Sequence, residues 1–224
     1  MTSLLLASAS PARLETLRRA GIDPHVQVSG VDEDLVLAEA ARRFGSLEVA
    51  DAVLVLAQAK AQAVTARIEE LGLPEDVLVL GCDSLLELDG EPWGKPTDAA
   101  DAVSRWQRMR GRSGVLHTGH WLVDTRPGTE EGGQGTGATI GTTASTTVHF
   151  ADLTDEEVRA YVATGEPLAV AGAFTVDGLG GPFVDRVDGD HHNVVGLSLP
   201  VLRSLLAEVG LTVPDLWRST TPAP

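Results

Sequence analysis

Two short segments hold residues whose types and spacing could do chemistry. Leu6-Ala7-Ser8-Ala9-Ser10-Pro11-Ala12-Arg13 runs from an apolar strand into two serines and a helix opened by proline. A helix N-terminus offers free N–H groups and a partial positive charge, so it binds phosphate. Ser8, Ser10 and Arg13 would complete such a site; the alternative is a plain N-cap beside a surface arginine. The second segment, Gly81-Cys82-Asp83-Ser84, ends the apolar strand Val77–Cys82 on a bare aspartate. A carboxylate at the end of a buried strand is costly unless it is paired or bound to metal. Asp83 could hold Mg²⁺ or activate a water, or it could simply start a turn. Strand ends are where α/β proteins collect their chemistry. Together the segments suggest an enzyme acting on a phosphorylated ligand with a metal.

Further candidates are weaker one by one. Lys60 interrupts an apolar helical stripe, at i+4 from Leu56 and i−4 from Val64. It either snorkels to water or points its ammonium into a cleft toward phosphate. Lys95, between Gly94 and Pro96, is held on a constrained loop, which suits a point charge on phosphate but also describes any surface-loop lysine. Glu33 lies in the run Asp32-Glu33-Asp34, a solvated face or a second metal carboxylate. His191 and His192 are read here on a strand, where neighbours point to opposite faces and cannot easily share an ion. His117 and His120 diverge likewise, and no histidine is assigned a catalytic role. Cys82 reads as a buried core thiol. Arg105, Arg108, Arg110 and Arg112 cluster at a helix end, where cations offset the dipole.

The elements that must position these groups follow from periodicity and caps. Residues 3–7 form a buried strand, and Ser10, Pro11 and Gly21 bracket a helix with Leu14 and Leu17 inward. A strand is expected at His25–Ser29, then one long helix over Leu47–Leu71. Val77–Cys82 is a strand; Leu85–Leu88 and Glu91–Trp93 form a hairpin around Asp89-Gly90. Thr97 or Asp98 caps a helix ending at Gly111. Gly114–Thr125 and Thr143–Phe150 are strands separated by a glycine- and threonine-rich loop, 126–143, expected to be mobile. A capping box at Thr154 opens a helix ending at Gly165. Two strands around Asp188-Gly189 and a helix over Pro200–Val209 follow, with a tail expected to fray after Pro214. Hairpins mixed with crossovers imply an α/β fold: a mixed twisted sheet with flanking helices, folded into two lobes. The chain reads as one domain over 1–211, with the 126–143 loop as an insertion and 212–224 as a C-terminal tail.

Composition bounds the function. The 224 residues are 43% hydrophobic but only 4% aromatic, so aliphatic side chains are expected to fill the core. The formal charge of −15 argues against a nucleic-acid polymer as partner but not against a small nucleotide. No apolar run approaches the roughly 20 residues of a membrane span, and Leu4–Ala7 is too short for a signal peptide. With Cys82 the single cysteine, no intrachain disulfide can form, and the expected location is the cytoplasm.

The ordered set Leu6–Arg13, Val31–Glu33, Leu56–Ala61, Gly81–Ser84, Gly94–Pro96, Ala171–Phe174, Gly178–Val184 and Val194–Leu199 resembles the Maf family, septum-formation-inhibitor-like nucleoside triphosphate pyrophosphatases. The resemblance spans about residues 3–209. It implies a Maf/ITPase-like fold with a nucleotide-binding cleft between two lobes, commonly a homodimer. It also implies hydrolysis of a standard, modified or non-canonical nucleoside triphosphate to the monophosphate and diphosphate, with Mg²⁺ or Mn²⁺. Asp83 would be the general base and a metal contact, Glu33 a second metal ligand, and Ser8, Ser10, Arg13, Lys60 and Lys95 the phosphate grip. The family's specificity positions fall on Ala12, Ser84 and Asp177. Many relatives carry a second arginine at the position of Ala12, those that prefer dTTP or UTP carry threonine and glutamine at the positions of Ser84 and Asp177, and Asp177 could accept from N1–H and N2–H of a guanine-like base. Relatives often have Asp-Lys in place of Ala169-Val170 and a histidine near Gly114. The alternative function is a non-catalytic nucleotide-binding regulator linked to cell division. A pure binder has no need of Asp83, Glu33, Lys60 and Lys95 together.

Overall fold

A computed structural model of the chain describes residues 2–73, 76–128 and 133–217. The short parallel pair β1 (Ser3–Ala7) and β2 (His25–Val26) lies at one side of the sheet, joined by α1 (Pro11–Arg19). Three 12-residue strands form its body: β3 (Val77–Leu88), β5 (Ser113–Asp124) and β6 (Thr139–Phe150). With β4 (Glu91–Trp93) and β7 (Val184–Asp188), the described strands make one seven-stranded sheet in the order β2-β1-β3-β5-β6-β7, β4 pairing off β3. β1 pairs parallel with β3 and every later pairing is antiparallel, giving the mixed sheet expected.

Two cores lie along the three long strands. The first is aliphatic. On one face Leu5, Ala7, Val77 and Val79 pack against α3 (Val49–Thr65); on the other, Leu4, Leu6, Leu78 and Leu80 meet Leu17 of α1 and Leu202 and Leu206 of α7 (Leu199–Glu208). The second core departs from the aliphatic expectation. Here Leu86, Leu116 and Val148 meet α4 (Ala99–Met109) and α5 (Asp155–Ala163) around an aromatic cluster. Trp106 packs edge-on against Phe150 and Tyr161 at 5.7 and 5.6 Å, and its indole N–H donates to Ala173 O at 2.8 Å. Most of the few aromatics thus gather in this second core.

Several elements differ from the sequence reading. The expected helix over Leu47–Leu71 is α3, ending at Thr65. The acidic run before it opens a further helix, α2 (Glu33–Phe44), whose N-cap Asp32 accepts from Leu35 N–H at 3.0 Å. β2 ends at Val26 instead of Ser29. Asp83 does not end a strand: β3 continues through it to Leu88, because β5 stays in register across Asp83↔Gly119 and Leu85↔His117. The Asp89-Gly90 turn is as expected, with φ of 57° and 79°. His191 and His192 lie on a short helix, α6 (His191–Val195), instead of a strand. β6 begins at Thr139, inside the segment expected to be loop; residues 129–132 lie outside the described residues. The tail is ordered past Pro214: the Trp217 indole donates to Ala20 O at 2.9 Å, and the rest, 218–224, lies outside the described residues. Among the described residues no helix is long and apolar enough to cross a membrane.

Candidate active site

The site forms where one edge of β3 is left open. β1 pairs with that edge only as far as Ala7↔Gly81, and β4 takes it up again at Leu86↔Trp93. Between them Cys82–Leu85 has no strand neighbour on that side among the described residues, at the junction of the two cores. Unpaired backbone needs partners, and the Arg13 guanidinium enters the gap, donating from Nη1 to Cys82 O at 2.8 Å.

Alternation along β3 places Asp83 and Ser84 on opposite faces. Asp83 faces α3, which lies close because Gly81 and Gly119 carry no side chain. A Cβ on Gly81 would stand 2.2 Å from Ala57 O, and one on Gly119 2.2 Å from Val53 O. This approach brings Lys60, one turn from Ala57, to the carboxylate. Lys60 Nζ stands 2.5 Å from Asp83 Oδ1 and 2.6 Å from Glu33 Oε1. Lys60 and Asp83 are 12% and 10% exposed and Glu33 52%, so the pair is sheltered and the third group opens to solvent. Burial raises the Asp83 pKa above the usual aspartate value, Lys60 and Arg13 pull against that rise, and Glu33 adds to it. Lys60 therefore meets two carboxylates, where the sequence reading aimed it at phosphate.

On the other face Arg13 organises a second group. Its Nε donates to Gly196 O at 2.7 Å, Nη1 to Ser8 Oγ at 3.1 Å and Nη2 to Ser84 Oγ at 3.0 Å. Ser84 Oγ also lies 2.9 Å from Thr118 Oγ1, which donates to Asn193 O at 3.1 Å. Arg13 is buried, so it is not the surface arginine of the simple N-cap reading. Ser10 is the N-cap of α1, its hydroxyl accepting from Arg13 N–H at 3.4 Å.

Ala12, Lys95 and Asp177 lie outside both groups. Ala12 is half-buried on α1, while Lys95 and Asp177 are exposed on loops. The Lys95 loop is braced through Gly94 O, which accepts from Gly172 N–H at 3.0 Å and Arg105 Nη1 at 2.7 Å. The Asp177 turn is braced by Glu166, which accepts from Leu179 N–H, Gly180 N–H and the Thr175 hydroxyl at 3.0, 3.1 and 2.5 Å. Cys82 is a buried core thiol, its pKa pushed up to about 12 by burial. Sequence reasoning missed Thr118 and gave no role to Asn193 or the Gly196 carbonyl, which reach the site from distant segments. Gly119 did carry a signal, since a lone glycine inside a strand marks close backbone approach.

The donor set fits a hard divalent cation. Two carboxylates, one of them buried, converge on the single ammonium of Lys60, and Mg²⁺ is held by one or two carboxylates together with substrate phosphates.

The chain belongs to the Maf-like protein family, whose pattern it matches over residues 3–209. Among curated relatives, the nucleoside triphosphate pyrophosphatase of Salinispora tropica is 55% identical over 99% of this chain and 91% of its own length. Proteins of the same name from Streptomyces coelicolor and Streptomyces avermitilis are 52% and 51% identical, over 96% of this chain and 94% of theirs.

Proposed function

We propose that this chain is a nucleoside triphosphate pyrophosphatase that hydrolyses its substrate between the α- and β-phosphates. The observation that carries the reading is the buried Asp83, joined to Lys60 and Glu33 at the open edge of β3. The names of the relatives support the reaction type.

In this reading Asp83 takes a proton from a water that attacks the α-phosphorus. A P–O bond to water forms, the α–β bridging P–O bond breaks, and diphosphate leaves. A raised pKa makes Asp83 a stronger base than an ordinary carboxylate, and Lys60 keeps it ionised until the proton arrives. Asp83 and Glu33 would hold Mg²⁺ or Mn²⁺, which supplies charge neutralisation on the phosphate oxygens. Ser8, Ser10 and Lys95 grip the phosphates, while Lys60 stays on its two carboxylates. Arg13, with most of its N–H groups bonded to protein, acts there chiefly as a fixed positive charge. Ala12, Ser84 and Asp177 face the base, Asp177 accepting from a guanine-like edge. The same reading has a cytoplasmic homodimer, which sedimentation would show as twice the chain mass.

The test is a release assay with Mg²⁺ or Mn²⁺ and a panel of standard and modified triphosphates, diphosphate and orthophosphate being detected separately. Diphosphate from one or a few substrates, lost in Asp83→Asn, is expected. Orthophosphate alone would mean cleavage elsewhere, and nucleotide binding without release would leave a regulator. UTP and dTTP turned over far faster than GTP and its modified forms would remove the guanine assignment.

A further inference from the structure

One cluster of metal-ligating side chains takes no part in the cleft. Asp190, His191 and His192 stand where β7 passes into α6. One ligand atom from each lies within 4.8 Å of the other two. The strand reading set the two histidines on opposite faces; on α6 their rings lie 3.8 Å apart, centroid to centroid, with planes inclined at 41°. Asp190 Oδ1 accepts from His192 N–H at 3.0 Å and faces His192 Nδ1 at 3.1 Å. Its second oxygen, Oδ2, is buried. Burial opposes the Asp190 charge, but hydrogen bonds from the Ser198 side chain and from His192 hold its pKa below the usual aspartate value.

The cluster borders a surface concavity of about 560 Å³, lined further by Leu199, Pro200, Arg203 and Val213. The concavity leaves room for water or a small anion beside the ligands, and Arg203 supplies positive charge. Two imidazoles and one carboxylate suit a borderline divalent ion, unlike the all-oxygen set that Mg²⁺ prefers. Such an ion would also rigidify α6, whose far end feeds the cleft: Gly196 O receives Arg13 Nε at 2.7 Å and Asn193 O receives Thr118 Oγ1 at 3.1 Å.

We propose that Asp190, His191 and His192 form a second cation site, for a transition ion of the Zn²⁺ class, separate from the Asp83–Glu33 carboxylates. The site does not depend on the pyrophosphatase reading, and its test needs no turnover.

The experiment titrates tag-free, full-length protein with Zn²⁺ by calorimetry in excess Mg²⁺, which occupies oxygen-ligand sites. Co²⁺ is used in parallel as an absorbance probe, and histidine ring resonances are followed by NMR. Wild type should bind one equivalent of Zn²⁺ and shift the His191 and His192 rings together. Affinity should fall at least tenfold in His191→Ala, whose side chain is exposed, and in Asp190→Asn, and should be unchanged in Asp83→Asn. No Zn²⁺ binding by wild type, equal binding by a His191→Ala protein that melts like wild type without metal, or ring shifts confined to other histidines would overturn the proposal.

Discussion

At the scale of single residues, the proposed chemistry rests on Asp83, a carboxyl buried against the Lys60 ammonium. Asp83→Asn keeps the shape and removes the proposed base. Its kcat should fall by at least about 10²-fold while nucleotide affinity, measured by equilibrium titration, changes little. A base must be deprotonated to act, and burial raises the Asp83 pKa. Without metal, the Asp83 carboxyl should therefore titrate above the ordinary aspartate range, followed by NMR of the labelled carboxyl, and added Mg²⁺ should pull that titration down. A metal-free carboxyl that titrates within the ordinary range would remove the assignment. His120 makes a separate prediction about stability. It is fully buried and accepts from Ser198 N–H at 2.8 Å through Nε2. Burial first, then the Arg13 charge, lowers its pKa from 6.5 to about 4. The unfolded chain takes up this proton first, so the stability is present above pH 6.5 and is lost as pH falls toward 4. The span amounts to about 3 kcal/mol. Thermal unfolding followed from pH 7 to 4 should show this slope in wild type and a flatter one in His120→Gln.

At the scale of elements, the close approach of α3 to the sheet sets the site. In Gly81→Ala the new methyl would meet backbone at Ala57 O and Ala61 N, 2.2 and 2.9 Å away, with no flexible side-chain end to yield. Denaturant titration should show a loss of about 3 kcal/mol, and activity should drop as Lys60 is carried off. Wild-type stability and rate would mean that α3 is not so tightly placed. Local signals made much of this frame legible: Ser10 and Pro11 at α1, the capping box at α5 and the Asp89-Gly90 turn each act within a few residues. What was misread depends on distant partners. Asp83 looked like a strand end because an aspartate after an apolar run resembles a turn; only the β5 register carries the strand past it. The Asp32–Asp34 run looked like a solvated face, although Asp32 is a capping residue and Gly45 ends α2. The contact of Lys60 with both carboxylates needs three elements to meet, and no spacing in the chain encodes that.

At the scale of the whole molecule, a buried ion pair ties the sheet to the end of α7, away from the open edge of β3. Asp124 accepts from Arg126 Nε and Nη2 at 2.8 and 2.9 Å and from Thr136 N–H at 2.8 Å, while Arg126 Nη2 also donates to Val209 O at 2.9 Å. Burial opposes the Asp124 charge, yet hydrogen bonds from Arg126 and Thr136 hold its pKa down at about 2. Asp124→Ala strands a buried cation and should destabilise the fold by about 3–5 kcal/mol. Well below its melting temperature the variant should keep wild-type kcat, which separates this clasp from the open edge of β3. A large loss of kcat in folded protein would mean that the two are coupled.

The most direct test of the central claim is where the water oxygen goes. Wild-type protein would hydrolyse its best triphosphate in ¹⁸O-labelled water, and the products would be weighed by mass spectrometry. Attack on the α-phosphorus places the label in the nucleoside monophosphate and leaves the diphosphate unlabelled. Label in diphosphate or orthophosphate, with none in the monophosphate, would contradict the account.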